Sequence, residues 1–206
     1  MNSLPKLEDT YGDRFFRKRD SLLWRASMFC PPVLDVLKQI APLSHPRSLI
    51  DVGCAIGDFV QWFCKHKIDA YGLEGSTAVM PYVVCPPERM FYGDLRHVLP
   101  INRRYDLAMS IEVAEHVEPD YAENYVGNLV NLSDNLLLTI AGPGQKGHSH
   151  VNLQPPEYWE KLFDFHDYVR VPAIEKQLKE RLHAYPNRWT QAIQKNLVFY
   201  RHNIVL

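Results

Sequence analysis

Several apolar runs of this 206-residue chain end at an acidic residue, and the chemistry that the sequence offers starts there. Ser48-Leu49-Ile50-Asp51-Val52 leads into Gly53-Cys54-Ala55-Ile56-Gly57-Asp58, and a helical pattern opens at Phe59-Val60-Gln61-Trp62-Phe63. Strand, glycine turn and helix in this order bring backbone close to a ligand and aim a helix N-terminus at it. A dinucleotide fingerprint requires G-x-G-x-x-G. Here Ala55 holds the middle position and Asp58 the last. A carboxylate there opposes a pyrophosphate. Together with Asp51 it makes a mouth suited to a cationic or zwitterionic ligand. Glu74, Asp94 and Glu112 follow three further apolar runs. Proton chemistry is offered by the glycine-rich run Ala141-Gly142-Pro143-Gly144-Gln145-Lys146-Gly147-His148-Ser149-His150-Val151-Asn152. An imidazole has the right ordinary pKa to take a proton from an attacking hydroxyl or ammonium near neutrality. His148 and His150, with Asn152, are therefore the candidates for binding a reactant, although the histidines could equally cap the helix that follows. Glu115, His116, His148 and His150 could also meet around a metal. Magnesium prefers oxygen ligands, and H-x-H on a loop is no zinc signature, so no metal is expected.

The elements that must position these residues alternate. Strands are predicted near 48–52, 69–73, 89–92, 104–110 and 135–141, with helices near 57–66, 76–81 and 120–132. Such alternation predicts a parallel sheet covered on both faces. Ligands of these sheets sit beyond the carboxyl ends of the strands, so Asp51, Glu74, Asp94 and Glu112 should line one crevice. Pro155 and Pro156 open a helix with Tyr158, Trp159 and Leu162 on its buried side. The tail reads as a strand at 167–171, a helix from Ala173 to about Ala184 and a last strand at 196–201. Residues Tyr185 to Trp189 are an insertion that could wall the pocket. At the other end, residues 1 to about 10 are polar and expected to be loose. A helical pattern from Tyr11 to about Phe29, with Phe15, Phe16, Leu22, Leu23 and Met28 as its apolar content, is predicted to break at Pro31 and Pro32. A second helix then runs from Pro32 to Ala41 and ends at Pro42. Arg14, Arg17, Lys18 and Arg19 read as a solvated helix face, offset by Glu8, Asp9, Asp13 and Asp20.

Four segments, taken in order, resemble the motifs of the class I S-adenosylmethionine-dependent methyltransferases. They are the D-x-G-x-x-x-G of residues 51–57, Ala70-Tyr71-Gly72-Leu73-Glu74, Met90-Phe91-Tyr92-Gly93-Asp94-Leu95, and Tyr105 to Val117 with Glu112-Val113-Ala114-Glu115-His116-Val117. The resemblance implies an α/β fold: a three-layer Rossmann-like sandwich whose seven-stranded, mostly parallel sheet has the order 3-2-1-4-5-7-6 under an N-terminal helical lid. Residues 1–206 would form a single domain, with N-terminal helices over 1–45, a cofactor-binding half over 46–142, and an acceptor side with a closing hairpin over 143–206. It implies S-adenosylmethionine as cofactor and S-adenosylhomocysteine as product. Gly53, Cys54, Ala55 and Gly57 would form the cofactor turn, and Asp51 would hold the methionine ammonium. Glu74, with Gly75, would take the ribose hydroxyls. Asp94 would accept from the adenine amine while the Leu95 N–H donates to the ring, although Asp94 could also cap a helix start. Ile111 and Glu112 would border the pocket, and Tyr11 is a candidate for the lid aromatic or equally a core or surface tyrosine. His148 or His150 would act as base for the attacking O or N. The run H-x-H-V-N-x-Q-P-P-x-Y-W resembles one in bacterial and phage-type members whose acceptors are mostly undefined.

Composition narrows the partners. Hydrophobic residues make up 46% and charged residues 23%, with a net charge of −1, so no field of one sign recruits nucleic acid or an anionic membrane. No apolar stretch reaches membrane-span length, and the first residues lack a signal-peptide layout. Cys30, Cys54, Cys64 and Cys85 lack C-x-x-C spacing and read as reduced thiols in a cytoplasmic protein. Pro155-Pro156-Glu157-Tyr158 lacks the Asn or Asp that precedes this motif in nucleic-acid amino-methylating enzymes. A small-molecule or sugar-containing acceptor, and a monomer or homodimer, are expected. Two other readings stay open. One is a non-catalytic S-adenosylmethionine-binding or regulatory protein. The other is a nicotinamide oxidoreductase, against which Ala55 and Asp58 argue.

Overall fold

The computed structural model describes residues 6–19, 23–41 and 47–203. Seven strands form one sheet: β1 (Ser48–Val52), β2 (Asp69–Glu74), β3 (Met90–Tyr92), β4 (Leu107–Ser110), β5 (Asn135–Thr139), β6 (Tyr168–Arg170) and β7 (Leu197–His202). Their order is β3-β2-β1-β4-β5-β7-β6. All pairs are parallel except those made by β7, which runs antiparallel to both β5 and β6. This is the sheet the resemblance implies. β1 and β4 are buried at every residue, as central strands covered on both faces must be.

Side chains alternate across the pleat, so each central strand feeds two cores. Leu49 and Leu137 join one cluster, with Phe29 and Val33 of α3 (Trp24–Ile40), Phe63 of α4 (Asp58–Lys65), Leu178 of α7 (Pro172–Leu182) and Ile193 of α8 (Arg188–Asn196). Ile50, Val52, Leu136 and Leu138 join the other, with Tyr125 and Leu129 of α5 (Ala122–Leu132) and Trp159 and Phe163 of α6 (Pro156–Asp164). Tyr125 donates to Ser110 Oγ, which in turn donates to the Val52 carbonyl, so a buried polar chain ties α5 to the strand that carries Asp51.

The N-terminal region departs from expectation. Instead of one helix from Tyr11 there are two single turns, α1 (Leu7–Thr10) and α2 (Asp13–Phe16). α3 then runs unbroken through Pro31 and Pro32. Neither proline has an N–H to give to the carbonyls of Ser27 and Met28, a loss of about 3 kcal/mol for a proline inside a helix. Phe29, Cys30, Val33, Val36 and Leu37 are each fully buried on the same helix. At roughly 1.5–3 kcal/mol per large apolar side chain, that burial outweighs the broken ladder. The tail also holds one helix more than expected, because α8 begins within the segment read as an insertion. Asn187 caps it, accepting from the N–H groups of Trp189 and Thr190. Expectations for residues 1–5, Asp20, Leu22 and Pro42 lie outside the described residues.

Candidate active site

A cavity of about 460 Å³ opens beyond the carboxyl ends of β1, β2 and β4, within the size range of small-molecule sites. Its floor is the turn after β1. Gly53 and Gly57 hold φ of +79° and +75°, and Ala55 between them holds +47°. A Cβ on Gly53 would lie 2.4 Å from Val113 Cγ2, and one on Gly57 would lie 2.6 Å from Cys85 Sγ. Glycine at these two places is therefore a requirement of both conformation and space. Alanine in the left-handed region is strained. Glu74 at the end of β2 fixes the turn, one carboxylate oxygen accepting from Ala55 N–H and the other from Ser76 N–H, both at 2.9 Å.

The acidic rim expected from the sequence is assembled. Asp51, Asp58, Glu74, Asp94 and Glu112 all line the cavity, as do Gly53, Cys54, Ala55, Gly75, Leu95 and Ile111. Gly57 sits behind the turn, against Cys85. Asp51 is 3% exposed, and burial, reinforced by Asp58 and Glu74, pushes its carboxyl well above the ordinary range. Burial also raises Glu74. It raises Asp58 to about 6, even though the backbone N–H groups at the start of α4, with Arg19 and Arg25, pull the other way.

Those two arginines were missed. Arg19 belongs to a run expected to face solvent, but it lines the cavity, its guanidinium 4.2 Å from the Phe15 ring centroid. Arg25 lines it too, 5.0 Å from the Trp189 ring. The signal available was the interleaving of Phe15 and Phe16 with cations, which gives a guanidinium an aromatic face to lie on. Trp189, which the sequence left open between pocket wall and core filling, lines the cavity and also packs on the core against Phe29.

α1 and α2 cover the opening. Leu7, Tyr11 and Phe15 line it, and three contacts latch the cover to the segment after β2. Ser76 Oγ donates to the Tyr11 carbonyl at 2.6 Å, Thr77 donates to the Glu8 carboxylate, and the Tyr82 hydroxyl donates to Asp13. The Tyr11 ring meets Phe15, His116 and His148 edge-on, and burial pushes its hydroxyl up to about 12.

At the adenine end of the expected site Asp94 caps no helix, since residues 95–97 form only a turn, and its carboxylate is engaged by Arg96. Asp94 accepts from Arg96 N–H at 2.9 Å and from the Arg96 guanidinium through both oxygens. Burial raises this carboxyl, but Arg96 outweighs it and holds it below the ordinary range. Arg96 is only 4% exposed and bridges on to Glu118. The Leu95 side of the turn still faces the cavity. Glu112 sits at φ +59°, its N–H donating to Thr139 Oγ1 at 2.6 Å and its carboxylate accepting from the same hydroxyl. A strained residue held by a buried threonine is the kind of position found at working sites.

The two candidate histidines differ. His148 is exposed at the cavity wall and stacks on Phe15, centroids 6.1 Å apart. His150 is half-buried: its Nδ1 lies 3.0 Å from the Gln145 carbonyl and its Nε2 4.0 Å from Glu115. Asn152 does not reach the cavity. It is buried, its backbone N–H donating to the Glu115 carbonyl.

No family model matches the sequence, and no curated protein matches it. Solved structures do. Magnesium protoporphyrin IX methyltransferase (ChlM) from Synechocystis PCC 6803, with bound S-adenosylhomocysteine, matches at 16% identity and a TM-score of 0.56, over 80% of this chain and 84% of that one. Phosphoethanolamine N-methyltransferase 2 from Haemonchus contortus matches at 15% identity and a TM-score of 0.56, over 94% of this chain. DesVI from Streptomyces venezuelae matches at 20% identity and a TM-score of 0.50, over 70%. The chain spans 57% and 62% of the latter two. At these identities the likeness shows the fold, and it is the class I methyltransferase fold. Among the described residues no helix is long and apolar enough to cross a membrane.

Proposed function

We propose that the cavity binds S-adenosylmethionine and that the protein transfers its methyl group to an oxygen or nitrogen of a small molecule. The observation that supports this most is the pairing of an acidic rim with two half-buried arginines in one cavity on this fold. The amino-acid end of the cofactor is a zwitterion. Its ammonium suits Asp51 and Asp58, and its carboxylate suits Arg19 and Arg25. The ribose hydroxyls suit Glu74, whose oxygens each accept one backbone N–H and keep further lone pairs free. The adenine suits the Leu95 side of the Asp94 turn. A dinucleotide fits less well, because its pyrophosphate would meet Asp58.

The chemistry needed is an in-line displacement in which sulfur loses its positive charge. Strong stabilisation of the sulfonium would slow that step, so catalysis rests mainly on alignment, which can supply several kcal/mol. The lid aromatics Tyr11 and Phe15, with Trp189, are assigned to closing the cavity. His148, exposed at the acceptor side, is assigned to receiving the acceptor's proton.

The test is incubation of the purified protein with methyl-labelled cofactor and a panel of small hydroxyl- and amine-bearing metabolites. Label should pass to at least one acceptor, and His148→Ala should lower turnover while cofactor affinity holds. Cofactor binding with no acceptor labelled would favour the non-catalytic reading.

A further inference from the structure

Beside His148, on the same cavity, lies a polar cluster to which the methyl-transfer reading assigns no role. Glu115 is fully buried, and neither of its carboxylate oxygens has a hydrogen-bond partner among the described residues. A buried carboxylate without partners is costly, and such a group either keeps its proton or gains a partner. The ligand atoms of Glu115, His116 and His150 lie within 4.8 Å of one another. Both imidazoles are oriented from behind: His116 Nδ1 faces the Ser149 carbonyl at 3.1 Å, and His150 Nδ1 faces that of Gln145 at 3.0 Å. A carbonyl only accepts, so each Nδ1 carries the proton and each Nε2 carries the lone pair. This is the backing that metal-ligating histidines receive. The Asn152 side chain, buried and also without a partner, belongs to the residue bonded to the Glu115 backbone.

We infer that Glu115, His116 and His150 form a binding site for one divalent cation on the acceptor side of the cavity. Two imidazole nitrogens and one carboxylate oxygen suit zinc, cobalt or manganese better than magnesium or calcium, which prefer all-oxygen shells. Three protein ligands leave positions open. His116 and His150 line the cavity, so those positions face the acceptor, and an acceptor oxygen is the group that could fill one. Any link between the cation and turnover rests on the methyl-transfer reading. Cation binding itself does not.

The test is to strip the protein with chelator and titrate it with cobalt, followed by visible absorbance, and with zinc by calorimetry. One cation per chain should bind, and equal magnesium should not displace it. Glu115→Gln and His150→Ala should each weaken it at least about 10–100-fold, the loss usual even for groups that only support a ligand. Without metal, Glu115→Gln should melt no lower than the parent, since it replaces a buried acid with a neutral amide. Should that variant fail to fold, His150→Ala decides alone. Less than one cation per chain, or binding that these variants leave unchanged, overturns the inference. S-adenosylhomocysteine affinity is measured alongside. If it persists while cation binding is absent, only this inference falls. If it is absent while cation binding persists, only the methyl-transfer reading falls.

Discussion

Ala55 carries the strain of the turn after β1. Its φ of +47° lies where L-residues are disfavoured, and its N–H is spent on Glu74. Ala55→Gly keeps that N–H and removes the crowded Cβ. It should stabilise the ligand-free fold by up to about 1 kcal/mol in urea unfolding, and a clear loss would show that the strain is not there. At this scale the sequence told which carboxylates gather but not how each is engaged. Asp51 and Glu74 follow from strand ends, a property of period and topology. That Arg96, only two residues on, engages Asp94 is a matter of side-chain conformation, and that Arg19 turns inward depends on neighbours distant in the chain; spacing records neither. Glu115 and His116 were legible as a pair. Their meeting with His150, rather than with His148, depends on how the loop over residues 141–152 folds back.

Among the elements, α3 is the one whose chemistry and conformation disagree. Two prolines sit inside it because its buried face is worth more than its hydrogen-bond ladder. Pro31→Ala would return an N–H to the Ser27 carbonyl without changing the fully buried residues, and the stability gain should be positive and at most about 3 kcal/mol. A lower urea midpoint would mean that the prolines are needed by the unfolded chain's restriction more than they harm the helix. Sequence reading broke the helix there because it weighed proline locally and had no measure of the burial on Phe29, Val33 and Leu37. α8 was overlooked for a related reason: its start depends on the Asn187 cap, a single residue among turn-like neighbours, not on a long apolar repeat.

For the whole molecule, the acidic rim sets a stability that depends on pH. A carboxyl raised on folding keeps its proton where the unfolded chain has lost it. Its contribution is therefore complete below the ordinary value and is lost as pH rises through the folded value. For Asp58 that window runs from 3.8 to about 6, and Asp51 and Glu74 act in the same sense. At one pKa unit per 1.36 kcal/mol, Asp58 alone would cost up to about 3 kcal/mol above the window. Asp58→Asn should thus match the parent's stability near pH 4 and exceed it above pH 6. Equal curves throughout would mean that the rim is not strained by its own charge. A cationic ligand would relieve the same strain, so a sheet whose parallel strands were legible from their alternation with helices, and whose order came with the family resemblance, would trap a cation only through where its strands stop.

The account therefore turns on whether that rim holds a sulfur nucleoside, and calorimetry with S-adenosylhomocysteine and NAD asks this most directly. One molecule of the first should bind per chain, the second should not bind, and Glu74→Ala should weaken the first by roughly 1–3 kcal/mol, the range for hydrogen bonds to a charged group. Binding of NAD alone, or affinity for S-adenosylhomocysteine that Glu74→Ala leaves unchanged, would contradict it.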